Sequence, residues 1–324
     1  MPNLNSGILA DVPVKYPDYE EQVLIAKCLC SIEQKIALNK RINAELEALA
    51  KTIYDYWFVQ FDFPDENGKP YRTSGGAMEY NDQLKREIPK GWSATTVGAI
   101  CRNFDSQRVP LSQKERDDIH GNIPYYGATG IMDYVSRFIF DGQFILIAED
   151  GSVMDSQGLP IVQMIWEKTW VNNHAHVLQG INGYSNELLY HILKEIPVVK
   201  IKTGSIQMKI NQDNLNTYKI PSITKDISTM FSQSVKAMYS KIHYLQMENN
   251  ELTRLRDWLL PMLMNGQATV ADEQPMETPQ NVVEMPGNDK RFDLWLQNQG
   301  IAARGDLDKK TLREIFDAMD DDDK

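Results

Sequence analysis

The chain has 324 residues, a formal charge of -11 and 42% hydrophobic against 24% charged side chains, which is enough material for about two domains with real cores. No apolar run approaches membrane-spanning length and no charged-then-apolar leader opens the chain, so neither a membrane protein nor a secreted one is expected. Cys28, Cys30 and Cys101 are too few and too irregular for a disulfide framework and form no C-x-x-C pair, which points to a reducing cytoplasm and to no structural metal.

In chain order, residues 1–18 read as a short extended segment around Pro13. Residues 19–60 then carry apolar side chains every three or four positions, at Ile25, Leu29, Ile32, Ile36, Ile42, Leu46, Leu49, Ile53 and Tyr56, with Asn39 alone interrupting the seam. That spacing predicts a long amphipathic helix. Residues 61–89 are punctuated by Pro64, Gly68, Gly75 and Gly76 and read as a linker. Residues 90–222 read as a compact α+β globule, with strands expected at 143–148, 161–166 and 174–178 and a short helix at 186–194.

A second long helix is predicted over 223–266, with Ile227, Phe231, Val235, Met238, Ile242, Leu245, Leu252, Leu255, Leu259 and Met262 in its seam and Asn249 as its single polar member. Gly266 supplies a stop. Residues 267–288, rich in Pro, Glu, Gln and Asn, are expected to be a disordered linker, and 289–324 a small helical acidic tail. Residues 271–324 hold 14 acidic and 7 basic side chains, which leaves the rest of the chain at only -4. Such a body is near enough to neutral to hold a local basic groove.

The two long helices repeat one another. Asn3-Leu4-Asn5-Ser6 recurs as Asn214-Leu215-Asn216-Thr217, and Asn43-x-Glu45-Leu46-x-x-Leu49 as Asn249-x-Glu251-Leu252-x-x-Leu255. Matched amphipathic helices around one globule predict an α+β fold class in which a mixed α/β domain is flanked by two long helices forming an antiparallel coiled coil. Asn39 and Asn249 are expected to fix its register and partner choice. The alternative keeps both asparagines just off the seam, facing water.

No Asn/Asp-Pro-Pro-aromatic loop, no cofactor-binding glycine turn and no phosphate-binding G-x-x-x-x-G-K-[ST] occurs, so no catalytic residue and no cofactor is expected. His174-x-His176 lacks further ligands at useful spacing and reads as structural. Cationic and polar residues in the globule are candidates for nucleic-acid contacts: Gln107, Arg108 and Lys114 in one loop-like stretch, and Tyr125, Tyr126 and Thr129 beside Gly127 and Gly130. Lys200, Lys202, Thr203, Ser205, Gln207 and Lys209 alternate around Gly204 and form the strongest local candidate. Each also has a plain reading as solvated surface, and the tyrosines as core. Trp57 and Phe58 exceed what one helical seam needs, and are expected to pack partly on the globule and partly on a partner protein.

Several segments resemble the specificity subunits of type I restriction-modification systems. The ending of the first helix, Leu49-Ala50-Lys51-Thr52-Ile53-Tyr54-Asp55-Tyr56-Trp57-Phe58-Val59-Gln60-Phe61, followed by Ile88-Pro89-Lys90-Gly91-Trp92, looks like that family's spacer leading into a target-recognition domain. Ile123-Pro124-Tyr125-Tyr126-Gly127-Ala128-Thr129-Gly130, Ile145-Leu146-Ile147-Ala148-Glu149-Asp150-Gly151-Ser152 and Thr203-Gly204-Ser205-Ile206-Gln207-Met208-Lys209-Ile210 are similar to that domain's recurring signatures. The resemblance implies a non-catalytic reader of double-stranded DNA that positions methyltransferase (modification) subunits and a restriction/translocase subunit. Such subunits usually carry two recognition domains and this chain has one, with residues 1–18 resembling only the last strand of another; the chain is expected to be a half-sized subunit that forms a homodimer to supply the second reader, the alternative being a truncated product. Two alternatives stay open: a specificity subunit whose partner fuses methyltransferase and nuclease, and a coiled-coil adaptor that binds protein, which the acidic charge would suit.

Overall fold

The computed structural model describes residues 6–13, 16–204 and 208–270. Within these the chain divides into two compact units, one built from residues up to 47 and from 240 to 270, the other from 48 to 239. The expected linker at 271–288 and acidic tail at 289–324 lie outside the described residues.

A short helix α1 (Ser6–Ala10) stands where an extended segment was expected. The long helix α2 (Tyr19–Tyr54) follows. Its start is set by Asp18, whose Oδ1 accepts the Glu21 backbone N–H at 2.9 Å, with Glu20 and Glu21 adding negative charge where the helix dipole favours it. The second long helix, α8 (Lys225–Met264), contains Pro261 in its final turn and stops at Gly266, whose φ of 74° is left-handed. At 1.5 Å per residue the two helices span roughly 54 and 60 Å.

In the first unit α2 and α8 run antiparallel, because partners that advance along α2 retreat along α8: Glu33 meets Arg256, Lys35 meets Glu248, Asn39 meets Asn249 and Asn43 meets the Ile242 carbonyl. The buried faces are the apolar seams, with Ile25, Ile32, Ile36, Ile42 and Leu46 on one helix and Ile242 and Leu245 on the other. Asn39 is wholly buried, and its Nδ2 donates to Asn249 Oδ1 at 2.9 Å and to Glu248 Oε2 at 2.5 Å. Both asparagines therefore sit on the seam rather than beside it. Leu255 departs from the expected seam and is exposed.

The second unit is the mixed α/β globule. Its elements in order are β1 (Met78–Asn81), β2 (Arg86–Pro89), β3 (Ala94–Thr96), α3 (Val97–Ile100), β4 (Cys101–Asn103), α4 (Gln113–Asp118), β5 (His120–Tyr126), β6 (Ile131–Val135) and β7 (Phe144–Ala148). They continue with β8 (Val162–Ile165), β9 (Trp170–Val171), β10 (Ala175–Gly180), α5 (Asn186–Lys194), α6 (Val198–Ile201), β11 (Lys202–Thr203), β12 (Lys209–Ile210), α7 (Gln212–Thr217) and β13 (Lys219–Pro221). An antiparallel sheet in the order β4-β10-β7-β8 forms the centre, and β6-β5-β9 forms a second sheet. All five residues of β7 are buried, as a central strand covered on both faces requires. The core gathers Phe140, Phe144, Leu146, Ile165, Val171, Ala175 and Val177, with Phe104 and Tyr126 packed against it. Burying each large apolar side chain contributes about 1.5–3 kcal/mol before chain entropy is counted.

Residues 61–89 are more than a linker. Phe63 stacks on Trp92 with ring centres 5.4 Å apart and on Tyr71 at 4.8 Å, and Asp62 accepts the Thr73 N–H at 2.7 Å. The β1–β2 hairpin completes this sub-structure, because the aromatic residues supply the apolar surface that a free linker lacks. Strand β3 pairs with β13 in the register Thr95↔Ile220, and the Ser222 N–H donates to the Ser93 carbonyl at 2.7 Å. The beginning and end of the globule are thus hydrogen-bonded neighbours.

Candidate functional site

The candidate residues fall into three groups by burial. Gln107, Lys114 and Thr129 are exposed. Lys114 lies on α4 rather than in a loop, because Ser112 and Glu115 form a reciprocal capping box that starts a helix there. Thr129 stands in the turn between β5 and β6.

Tyr125 and Arg108 belong to the framework instead. Tyr125 is 1% exposed, with its hydroxyl accepting the Leu111 N–H at 3.0 Å and the Arg116 guanidinium over its ring. Tyr126 is half-buried on the core, and burial pushes its hydroxyl up to about 12. Arg108 was expected to reach outward. Its guanidinium instead turns in, donating from Nη1 to Glu149 Oε2 at 2.7 Å and to the Ala175 carbonyl at 2.6 Å, and from Nε to the Asp105 carbonyl at 3.1 Å. A guanidinium committed to this many acceptors has no free fork for a base edge, which corrects the expectation for Arg108.

The third group is the β11–β12 strand pair, with Lys200 on α6 just before it. Lys200, Thr203 and Lys209 are exposed and Lys202 half-buried, and Thr203 Oγ1 donates to the Lys209 carbonyl at 3.3 Å. Gly204, at φ 75°, is in the left-handed region. Ser205 and Gln207 lie outside the described residues. The hairpin stands on a charged network that sequence reasoning missed. Glu149 Oε1 accepts Lys209 Nζ at 2.8 Å while its own carbonyl accepts the Ile210 N–H at 2.8 Å. His176 is almost fully buried between Asp105 Oδ2, 2.5 Å from Nδ1, and the Ile210 carbonyl, 2.9 Å from Nε2. Asp105 also accepts the Val177 N–H at 2.8 Å and the Asn103 side chain at 2.9 Å.

Electrostatics in this network are mutually reinforcing. Burial opposes charge on His176, yet the Asp105 carboxylate and the Ile210 carbonyl overcome it and raise its pKa. Burial likewise works against charge on Asp105 and Glu149. His176 and the backbone and Asn103 donors hold Asp105 below the usual carboxylate range, and Lys209 and Arg108 do the same for Glu149. Asp105, Glu149 and His176 place ligand-type atoms within 4.8 Å of one another. The donor set does not suit a cation, because Arg108 and Lys209 already occupy the carboxylates and both His176 nitrogens face acceptors.

Trp57 and Phe58 sit in a π-helical turn, Asp55–Val59, closed by the Gln60 N–H on the Asp55 carbonyl at 2.9 Å. Both are buried against Phe231, at ring separations of 6.0 and 5.2 Å, in a cluster that includes Tyr54 and His191. His191 is pushed down to about 3 by burial, so its ring is neutral, and its Nε2 shares a hydrogen bond of 2.9 Å with the Tyr239 hydroxyl. Tyr54 belongs to α2 and Phe231 to α8. The partner-facing half of the expectation for Trp57 and Phe58 is corrected, since these rings are enclosed by their own chain.

Residues 1–48 and 89–254 match the family model described as type I restriction modification DNA specificity domain, which covers more than half of the chain and takes in both long helices and the globule. The chain belongs to that family. A type I restriction enzyme specificity subunit of Methanocaldococcus jannaschii, MjaIX, is 25% identical over 291 residues, 84% of this chain and 64% of that protein. A protein of Haemophilus influenzae described as the specificity subunit S.HindORF215P is 34% identical over 139 residues, 43% of this chain and 35% of its own length. Among solved structures, the S subunit of the type I system of M. genitalium matches with a TM-score of 0.49 at 18% identity, covering 76% of this chain and 61% of that one. The chain therefore spans less than two thirds of the length of these relatives.

Proposed function

We propose that this chain is the sequence-reading, non-catalytic subunit of a type I restriction-modification methyltransferase, and that its globule reads one half of a bipartite double-stranded DNA target. The observation that carries this reading is the family match across helix, globule and helix. The end of α6 and strand β11 support it with a local pair of cations, Lys200 and Lys202, beside the left-handed Gly204, on a chain whose overall charge is negative. Exposed lysines supply phosphate contacts, and Thr203, Gln107 and Thr129 are exposed polar groups able to meet base edges. Arg108 and Tyr125 act behind them as framework.

The same reading gives the helices the work of docking modification subunits, with a restriction/translocase subunit joining the assembly. Tyr244, Met247, Leu255 and Trp258 recur on one face of α8 and are exposed, which is the aromatic-rich composition of a protein interface. Chemistry is assigned to those partners, consistent with a sequence that lacks methyltransferase and nucleotide-hydrolysis motifs. Two copies of the chain would supply two readers related by two-fold symmetry.

The test is to express the chain with modification subunits in a host lacking DNA methylation and to map modified bases. A split, palindromic methylated sequence is the expected result. A split asymmetric sequence would remove the homodimer from the reading, and unmodified DNA from a complex that had assembled would remove DNA reading itself.

A further inference from the structure

Among the described residues, the ring of His176 faces two acceptors and no donor: the Asp105 carboxylate at Nδ1 and the Ile210 carbonyl at Nε2. A neutral imidazole carries one N–H and can satisfy only one of them. The imidazolium satisfies both, so the geometry itself selects the charged ring. Ile210 is the residue through which β12 pairs with Lys202 of β11, and its own N–H is held by the Glu149 carbonyl at 2.8 Å. Lys209, one residue earlier, is held by the Glu149 carboxylate at 2.8 Å. The far strand of the hairpin is therefore fastened at three points to side chains and backbone of the central sheet.

From this we infer that His176 is a positioning residue for DNA reading: as an imidazolium braced by Asp105 it clamps the Ile210 carbonyl and fixes the pose in which strand β11, paired with β12, presents Lys202 and Thr203 to the duplex. The inference rests on the DNA-reading function proposed above and adds to it a residue that never touches DNA. Loss of the second proton leaves a lone pair of Nε2 against the Ile210 oxygen, so the clamp opens as pH rises. The charged and titratable groups packed around the ring are Asp105 and Arg108 from the segment after β4, Glu149 at the end of β7, Lys209 of β12 and, against Asp105, the Cys101 thiol of β4. Lys209, with its pKa raised, stays cationic, and Asp105 and Glu149, with theirs lowered, stay anionic over the range in which histidine titrates. His176 is thus the switching member of the group.

A pool of duplexes with a randomised centre, selected at low salt by the full-length chain, reads both total binding and enrichment of a preferred sequence. The expected result is that His176→Gln keeps total retention close to that of the parent but lowers enrichment of the parent's preferred sequence about tenfold, the size of one misread base pair. Enrichment by the parent should also fall as pH rises above about 6.5, the ordinary histidine value, while the His176→Gln chain shows no such slope. Should His176→Gln fail to fold, the pH slope of the parent alone decides. Parent enrichment that is flat with pH, or full enrichment by His176→Gln, overturns the inference. The double substitution K200A/K202A separates the two levels through total retention: if it leaves retention unchanged, the lysines do not meet the duplex and the foundation has failed; if it lowers retention while His176→Gln keeps full enrichment, the DNA contact stands and the clamp alone is wrong.

Discussion

Nη1 of Arg108 lies 2.7 Å from Oε2 of Glu149, and both side chains are nine-tenths buried. A fork pointed at DNA and a fork pointed into the protein make opposite predictions when removed. Arg108→Ala leaves two buried carboxylates short of a partner and should cost about 3 kcal/mol, read as a lower denaturant midpoint. An unchanged midpoint together with weakened DNA binding would return Arg108 to the contact surface.

The same network gives stability a two-sided pH dependence. Asp105 and Glu149 have depressed pKa values, so their contribution is present above the ordinary carboxylate range and fades as acid reaches the lowered values. His176 has a raised pKa, so its contribution is complete below about 6.5 and fades as pH climbs through the raised value. Denaturation midpoints measured across pH should form a plateau with two shoulders. Replacing His176 by Gln should remove the alkaline shoulder and leave the acid one.

Trp57 and Trp258 should behave in opposite ways. Trp57→Ala opens a cavity in the Tyr54–Phe58–Phe231 cluster and should cost about 3–5 kcal/mol of stability. Trp258 is 59% exposed, so Trp258→Ala should change stability by less than about 0.5 kcal/mol. In titrations with modification subunits it should weaken assembly by more than about tenfold.

The salt dependence of DNA binding counts phosphate contacts. Each of Lys200 and Lys202 that touches a phosphate should flatten the slope of log affinity against log salt by about 0.9 when removed, so K200A/K202A should flatten it by about 1.8. A slope identical to the parent's would place neither lysine on the backbone of the duplex.

Asn39 should be costly to truncate and cheap to replace as a pair. Asn39→Ala leaves Asn249 and Glu248 without their donor and should destabilise by about 1–3 kcal/mol. Asn39→Leu with Asn249→Leu should recover that loss or exceed it while loosening register, read as mixed products when cysteines placed across the two helices are oxidised.

Periodicity made the helices legible, because apolar residues recurring every three or four positions line up on one face of a helix and on no face of a strand. Asn39 and Asn249 could be placed in the seam for the same reason. Strands β7, β8 and β10 and helix α5 were legible from short apolar runs between turn signals. What failed was direction. Arg108 reads as a surface cation until Glu149, 41 positions away, is folded beside it, and Tyr125 reads as a contact until the Leu111 N–H is found on its hydroxyl. His174-x-His176 held the signal for the clamp, but Asp105 lies 71 positions from His176 and no local spacing announces the pair. Leu255 satisfied the seam rule and is nevertheless exposed, because period alone does not say where one helix stops covering the other.

The hydrogen bond from Ser222 to Ser93 and the pairing of β13 with β3 make the globule a closed insert, entered and left at one point of the chain. A module whose ends meet can be cut out and another spliced in with both long helices unchanged in sequence. Recombination at these two positions would give a host lineage a new address on its DNA while retaining the assembly that acts there.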